Sequence, residues 1–117
     1  MTGWIGVDLD GTLAYYDGWV SETHIGDPIP EMVARVKRWL EQGETVKIFT
    51  ARVSGREGLE LAKVTAAILL WCQVHIGQKL DITCCKDYGM IELWDDRCVQ
   101  VIMNTGVPVG KSAQGLS

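Results

Sequence analysis

The 117-residue sequence has no long hydrophobic run, since its longest uninterrupted apolar stretch covers only residues 66–72. A segment that crosses a bilayer needs about 18 apolar residues, so no membrane association is expected. The sequence also lacks a basic start followed by an apolar stretch and a small-residue cleavage site. A secretory signal is therefore not expected, and the predicted location is the cytoplasm.

The sequence is also short of positive charge, with 11 lysines and arginines against 15 acidic residues and a net charge of -4. Non-specific nucleic-acid binding needs a basic stripe, so charge alone does not make this a nucleic-acid-binding protein, although a local basic pocket stays open. The four cysteines include no Cys-x-x-Cys pair, which argues against zinc. We expect free buried thiols in a reducing compartment, with Cys84 and Cys85 on opposite faces of a strand.

Short apolar runs alternate with helical patterns along the chain. Predicted strands cover residues 4–7, 45–49, 81–85 and 90–94, with a fifth strand over 99–103 at a sheet edge. One predicted helix begins around Asp27-Pro28-Ile29-Pro30 and ends at Gly43, and the other runs from a capping box at Ser54-Gly55-Arg56-Glu57 to about residue 76. This alternation predicts an α/β fold: an open, mainly parallel, Rossmann-like sheet flanked by helices. One domain is predicted over residues 1–104, with a flexible tail over 105–117.

Polar side chains follow four of the apolar runs. They are Asp8 and Asp10 after the first run, Thr50 after the second, Lys86 after the third, and Asp95 and Asp96 after the fourth. If the strands are parallel, all of these positions lie along one rim of the sheet, where ligands of open α/β sheets bind. The sequence therefore predicts one polar site built from distant parts of the chain.

The predicted site holds up to four carboxylates, and this charge calls for a cation. Two carboxylates about 4 Å apart repel by roughly 4 kcal/mol at an effective dielectric constant of 20. Oxygen-only ligands with open positions for water and phosphate favour Mg²⁺ over a full Ca²⁺ cage. Lys86 adds a positive charge that can pair with both a carboxylate and a phosphate.

These residues resemble the signatures of the haloacid dehalogenase-like superfamily of phosphotransferases. Asp8-Leu9-Asp10-Gly11-Thr12-Leu13 resembles the first signature, Ile48-Phe49-Thr50-Ala51-Arg52 the second, Lys86 the third and Leu93-Trp94-Asp95-Asp96 the fourth. The resemblance covers residues 4–96 in the family's order. It implies a Mg²⁺-dependent phosphatase with the family's fold, which hydrolyses a phosphomonoester through an aspartyl-phosphate.

The resemblance also implies a role for each residue. Asp8 is the implied nucleophile, and Asp10 is the implied general acid and base. Thr50 holds a phosphoryl oxygen, and Lys86 stabilises the phosphoryl charge and orients Asp8. The implied Mg²⁺ ligands are Asp8, the backbone carbonyl of Asp10 and Asp95, with Asp96 either as a ligand or beside one. The implied substrate-binding residues are Gly11, Thr12, Thr50, Ala51 and Arg52.

The sequence departs from the family's pattern in two respects. Only nine positions separate Lys86 from Asp95, too few for the helix that many members have there, so Lys79 remains an alternative to Lys86 as the active-site lysine. No segment is long enough for a cap domain. An uncapped site favours a large or exposed phosphate ester, such as a nucleic-acid end or a protein-linked phosphate, or a homo-oligomer in which a partner subunit completes the pocket.

Several alternatives stay open at this point. Arg52 and Arg97 either bind the substrate's phosphate or pair with a nearby acid. Tyr15, Tyr16 and Trp19 either stack on a nucleobase or pack within their loop. The activity has two alternatives of its own: a non-catalytic metal- and phosphate-binding module that works through a partner, and a phosphotransferase that uses an acceptor other than water.

Overall fold

A four-stranded parallel sheet forms the centre of the computed structural model, which describes residues 3–110. The strands are β1 (Trp4–Asp8), β2 (Val46–Phe49), β3 (Asp81–Thr83) and β4 (Met90–Trp94), in the spatial order β3-β2-β1-β4. Every neighbouring pair is parallel. The predicted open, parallel α/β sheet is therefore confirmed.

Burial explains why the first apolar run forms the inner strand β1. Trp4, Ile5 and Val7 are all buried, and β1 pairs with β2 on one side and β4 on the other. A parallel strand that is covered on both faces reads as a continuous apolar run, and this is the pattern that the sequence shows. Asp8, the first polar residue after the run, is consequently the last residue of the strand.

Two helices cover the sheet. Helix α1 (Pro30–Glu41) begins with a proline, whose missing N–H is no loss at a first turn, and it buries Met32, Val33 and Val36. The chain leaves this helix through Gly43, which has a φ of 84° and so ends it as predicted. Helix α2 (Gly58–His75) buries residues at helical spacing: Val64, Ile68, Trp71 and Cys72. Among residues 3–110 no inserted cap lies over the sheet edge.

Two element boundaries differ from the prediction because side chains redirect the backbone. The capping box at Ser54 does not start α2; Ser54 instead ends a short 3₁₀ helix (Ala51–Val53), and the hydroxyl of Thr50 accepts a hydrogen bond from the backbone N–H of Arg52 there. Strand β3 ends at Thr83, two residues early, because the backbone N–H of Cys85 donates back to the Thr83 hydroxyl. Both turns follow the carboxyl ends of strands, at the edge of the sheet where the predicted site residues lie.

The predicted fifth strand is wrong. Residues 99–103 do not join the sheet; Val101 forms an isolated bridge with Pro108 instead. Asn104 has a φ of 66° and turns the chain, so the backbone N–H of Ile102 donates to the carbonyl of Val107 within the same segment. The chain therefore pairs with itself. The predicted tail over 105–117 falls partly in this hairpin, and residues 111–117 lie outside the described part of the chain.

The cysteines are all free, but only Cys72 is buried as predicted, and burial raises the pKa of its thiol to about 11. Cys85 and Cys98 are exposed and Cys84 is half-buried, so the expectation of buried thiols is wrong for these three. Because β3 ends before Cys84, the Cys84 and Cys85 sulfurs are not on opposite faces but 4.0 Å apart. None of the described helices is long and apolar enough to span a membrane.

Gly26 lies in the segment between β1 and α1 (residues 9–29), which we call the excursion, and it packs closely against the backbone there. Replacing Gly26 tests this packing. A Cβ at Gly26 would lie 2.0 Å from the backbone carbonyl oxygen of Tyr15, and the Gly26 carbonyl accepts a hydrogen bond from the Trp71 indole N–H. We expect Gly26→Ala to lower the free energy of unfolding by about 2 kcal/mol, because the backbone has to move. Urea denaturation measures this change. Gly110→Ala, where a Cβ meets no neighbour, is the control and should leave stability unchanged.

Candidate active site

A cavity of about 610 Å³ opens where β1, β2 and β4 end. Its walls include the residues that follow these strands: Asp8, Asp10, Thr50, Ala51, Arg52, Asp95 and Asp96. In open parallel sheets this crevice beyond the carboxyl ends of the strands is the usual ligand site. The polar signals that are scattered over the sequence therefore line one cavity, with the exception of the lysines described below.

Three carboxylates of the cavity form a tight cluster. One oxygen from each of Asp8, Asp95 and Asp96 lies within 4.8 Å of the other two. The parallel register of the strands explains this proximity, since Val7 of β1 is level with Trp94 of β4 and the acids come next along both strands. Residues that are 87 positions apart in the sequence are thus brought together by strand pairing.

Gly11 and Thr12 hold the cluster together from the side and do not line the cavity. The Thr12 hydroxyl lies 3.4 Å from a carboxylate oxygen of Asp8 and 3.3 Å from one of Asp96, and it accepts a hydrogen bond from the backbone N–H of Asp96. A Cβ at Gly11 would lie 2.7 Å from an oxygen of Asp96, so glycine is what allows Asp96 to approach. The resemblance implied that both residues bind substrate; their observed contacts are with the acids, and the substrate role stays a prediction.

Burial, together with the neighbouring acids, raises the pKa of Asp8 to about 7. Burial is the largest cause, followed by the negative charge of Asp95, a hydrogen bond shared with Asp96 and the charge of Asp96. The hydrogen bond from Thr12 acts in the opposite direction. Without a cation, the site therefore disfavours the ionised form of Asp8.

A hard divalent cation fits this donor set. All three side chains offer oxygen ligands within a short span, and the adjoining cavity leaves room for water and phosphate oxygens, as Mg²⁺ requires. The side chain of Asp10 is not part of the cluster. The identity of the ion as Mg²⁺ stays a prediction, and so does the participation of the Asp10 backbone carbonyl.

Arg52 binds Asp10 through both carboxylate oxygens. Its Nε and Nη2 donate to the two oxygens at 2.8 Å each, while its remaining N–H groups donate to the backbone carbonyls of Ser21, Glu22 and His24. All five N–H donors of the guanidinium are therefore used, and the side chain is only 5% exposed. Of the two alternatives left open for Arg52, the structure shows pairing with an acid.

The excursion after β1 contributes aromatic side chains to the cavity. Trp19 lies with its ring 4.9 Å from the guanidinium carbon of Arg52, and Tyr16 lies on the same wall. Tyr15 does not line this cavity. The aromatic residues that the sequence grouped together are thus separated by the structure, since Tyr16 and Trp19 line the cavity and Tyr15 does not.

Thr50 is placed as its predicted role requires. It follows β2 directly, it is 2% exposed, and its hydroxyl oxygen accepts the backbone N–H of Arg52 at 3.1 Å. The hydroxyl proton therefore remains available for a phosphoryl oxygen in the cavity. Ala51 lines the cavity next to it.

Neither candidate lysine reaches the cavity wall. Lys86 and Lys79 do not line it, and neither forms an ion pair with any residue from 3 to 110. The early end of β3 explains this for Lys86, since the chain turns at Cys85 before it reaches the lysine. Neither Lys86 nor the alternative Lys79 therefore has an observed contact among residues 3–110 that supports the predicted role of active-site lysine.

Arg56 lines the cavity, although no sequence pattern pointed to it as a site residue. It donates to the backbone carbonyl of Arg52 and forms ion pairs with Glu22 and Glu60. Its position within Ser54-Gly55-Arg56-Glu57 suggested the start of a helix. Its partner Glu22 is distant in the sequence, so no local pattern indicated the ion pair. Arg97, the other arginine of the wall, forms no ion pair with the residues that the structure describes.

Comparison with known proteins supports the fold and leaves the activity open. Neither a protein-family model nor a curated protein matches the chain. The chain is similar to the solved structure of a conserved protein from Bacteroides thetaiotaomicron, with 20% identity and a TM-score of 0.54. The similarity covers 84% of this chain and 78% of that protein. At this level of identity the likeness shows a shared fold alone.

Removal of Arg52 should destabilise the protein. Arg52→Gln leaves the carboxylate of Asp10 and three backbone carbonyls without their main donor, so we expect the free energy of unfolding to fall by about 2–4 kcal/mol. Chemical denaturation measures the loss. Arg97→Gln is the matched control, because that arginine is exposed and has no ion pair among the described residues, and it should change stability by less than about 0.5 kcal/mol. Equal stability of the two variants would contradict the role assigned to the ion pair.

Loss of the Asp8 charge should stabilise the metal-free protein at high pH. The pKa of Asp8 is raised from 3.8 to about 7 in the folded state, so stability falls as the pH rises through this window and Asp8 loses its proton. With a discount for solvent screening at this half-buried site, we expect Asp8→Asn in EDTA to gain about 1–2 kcal/mol over the wild type between pH 4 and pH 8. Denaturant titrations at both pH values measure this difference, and a gain that does not depend on pH would refute the explanation.

Proposed function

We propose that this chain is a Mg²⁺-dependent phosphatase of the haloacid dehalogenase-like type, which hydrolyses a phosphomonoester through an aspartyl-phosphate on Asp8. The observation that carries this proposal is the convergence of Asp8, Asp95 and Asp96 within 4.8 Å, in a cavity that also holds Asp10 and Thr50. This arrangement supports the signature resemblance, because the resemblance assigns a role to each of these residues.

In the first step, a carboxylate oxygen of Asp8 attacks phosphorus and the ester P–O bond breaks. The leaving oxygen takes a proton from Asp10 and departs as an alcohol. The Thr50 hydroxyl donates to a phosphoryl oxygen during this step. Mg²⁺ held by Asp8, Asp95 and Asp96 would supply positive charge that lets the anionic carboxylate approach the anionic phosphate.

In the second step, a water molecule attacks the aspartyl-phosphate and gives its proton to Asp10. Inorganic phosphate leaves, Asp8 regains its carboxylate, and Asp10 regains the proton that it gave away, so the cycle closes. A phosphotransferase would use the same residues with an alcohol in place of water, and only the analysis of products separates the two reactions.

Among residues 3–110, a single arginine of the cavity wall forms no ion pair. Arg52 and Arg56 are bound to acidic side chains and to backbone carbonyls. Arg97 follows the acidic cluster in the chain and forms no ion pair with a described residue. We therefore assign to Arg97 the contact with the incoming phosphate, which a guanidinium can make through two parallel hydrogen bonds.

The ion pair between Arg52 and Asp10 affects the two steps differently. Each oxygen of Asp10 accepts one hydrogen bond from Arg52, and a carboxylate oxygen has a second lone pair that can accept a proton from water. Asp10 can therefore act as a base without breaking its ion pair with Arg52. The acid role requires a proton on that second lone pair before the first step begins, so substrates whose leaving oxygen needs little protonation depend least on it and should react most readily.

The proposal is tested with an aryl phosphate as substrate. We expect activity with Mg²⁺, no activity in EDTA, and a loss of at least about 10³-fold in Asp8→Asn, because that variant has no nucleophile. Asp81→Asn removes an exposed carboxylate outside the cavity and is the control, with activity expected at the wild-type level. Product analysis in added methanol distinguishes transfer from hydrolysis. Full activity of Asp8→Asn would overturn the proposal.

Two observations favour a second candidate, a non-catalytic module that binds metal and phosphate. Asp10 is held by Arg52 through both oxygens, and Lys86 does not reach the cavity wall. The absence of turnover over a broad panel of phosphate esters, together with Mg²⁺ binding by calorimetry that is lost in Asp95→Asn, would select this candidate over the phosphatase.

A further inference from the structure

The cavity is larger than the proposed chemistry requires. The acids and Thr50 occupy the side formed by the strand ends, whereas Tyr16, Trp19, Arg56 and Arg97 form other parts of the wall in a space of about 610 Å³. Cavities of this volume accommodate whole small-molecule ligands. The remaining space must therefore suit the leaving group of the substrate, and its walls indicate what that group is.

Trp19 offers a fixed, accessible aromatic face in this space. One face of its indole lies over the guanidinium of Arg52, with 4.9 Å between the guanidinium carbon and the ring centroid. Arg52 is itself held by hydrogen bonds to Asp10 and to the backbone of the excursion, so it keeps the indole in place. Trp19 is nevertheless 54% exposed, and Tyr16 beside it is 47% exposed. A large aromatic side chain that is held on one face and open on the other is suited to stacking.

We propose that the substrate is a mononucleotide whose base stacks on Trp19 while its phosphate would meet a Mg²⁺ ion held by Asp8, Asp95 and Asp96. This proposal rests on the proposed function and names the class of substrate. The stack with Arg52 positions the indole before the ligand arrives, so little conformational freedom is lost on binding. Tyr16 lies along the same wall and extends the apolar surface that the base would cover.

The charges around the cavity favour a single nucleotide over a polynucleotide end. A polymer brings one phosphate per nucleotide and needs a track of cations. Among the described residues, Arg97 is the cavity arginine without an ion pair, because Arg52 and Arg56 are bound to acids. The net charge of the whole chain is -4. One available cation suits one phosphate group.

Comparison of two esters tests the stacking. We expect Trp19→Ala to lower kcat/KM for adenosine 5′-monophosphate about tenfold or more and to leave kcat/KM for glycerol 2-phosphate unchanged, because the second ester has no ring. Trp19→Phe keeps an aromatic face and should recover most of the loss. Tyr15→Ala, an exposed aromatic residue of the same excursion that does not line the cavity, is the control and should affect neither ester. Equal losses for both esters in Trp19→Ala, or no loss for either, would overturn the proposal.

A binding measurement keeps this inference separate from the phosphatase proposal. In Asp8→Asn with Mg²⁺, calorimetry should show adenosine 5′-monophosphate binding at least about tenfold more tightly than glycerol 2-phosphate, and Trp19→Ala in the same background should abolish the difference. This result would support the inference even if no ester is hydrolysed. Hydrolysis with no preference in binding would overturn the inference and leave the phosphatase intact. A 5′-phosphorylated oligonucleotide that binds tenfold more tightly than the mononucleotide would overturn the choice of a single nucleotide.

Discussion

Repulsion between the carboxylates of Asp8, Asp95 and Asp96 is the constraint on which the candidate site depends. Parallel pairing of β1 with β4 forces these acids together, and the partial burial of Asp8 withholds some of the water that would screen its charge. The unfavourable free energy of ionising Asp8 in this cluster appears as its raised pKa. A fold that keeps such a cluster gives up stability in the metal-free state and gains a site where a divalent cation and a phosphate group are both favoured.

Arg52 connects Asp10, beside this cluster, to the excursion. It holds Asp10 through two hydrogen bonds, the backbone of the excursion through three, and the indole of Trp19 through a stacking contact. The proposed proton-transfer group and the proposed base-binding surface therefore share one buried guanidinium.

Where sequence and structure disagree, contacts that no residue pattern shows decided the outcome. The hairpin beyond residue 100 satisfies its backbone within its own segment, so an apolar run that resembles an edge strand stays outside the sheet. The Thr83 hydroxyl turns the chain before Lys86, which removes the lysine from the cavity wall although it follows a strand in the sequence. Arg56 was missed for a similar reason, since its partner Glu22 lies 34 positions away.

The sequence by itself determined the parallel α/β sheet and the rim on which the acids lie, because strand burial and helical spacing are local patterns and the end of a strand is readable from the first polar residue. The tertiary structure decided which of those polar residues meet. Asp8, Asp95 and Asp96 converge, Asp10 turns to Arg52, and Trp19 comes to face the cavity while Tyr15 does not. Side-chain partners are chosen by the packing of segments that are far apart in the chain, and no local pattern records that choice.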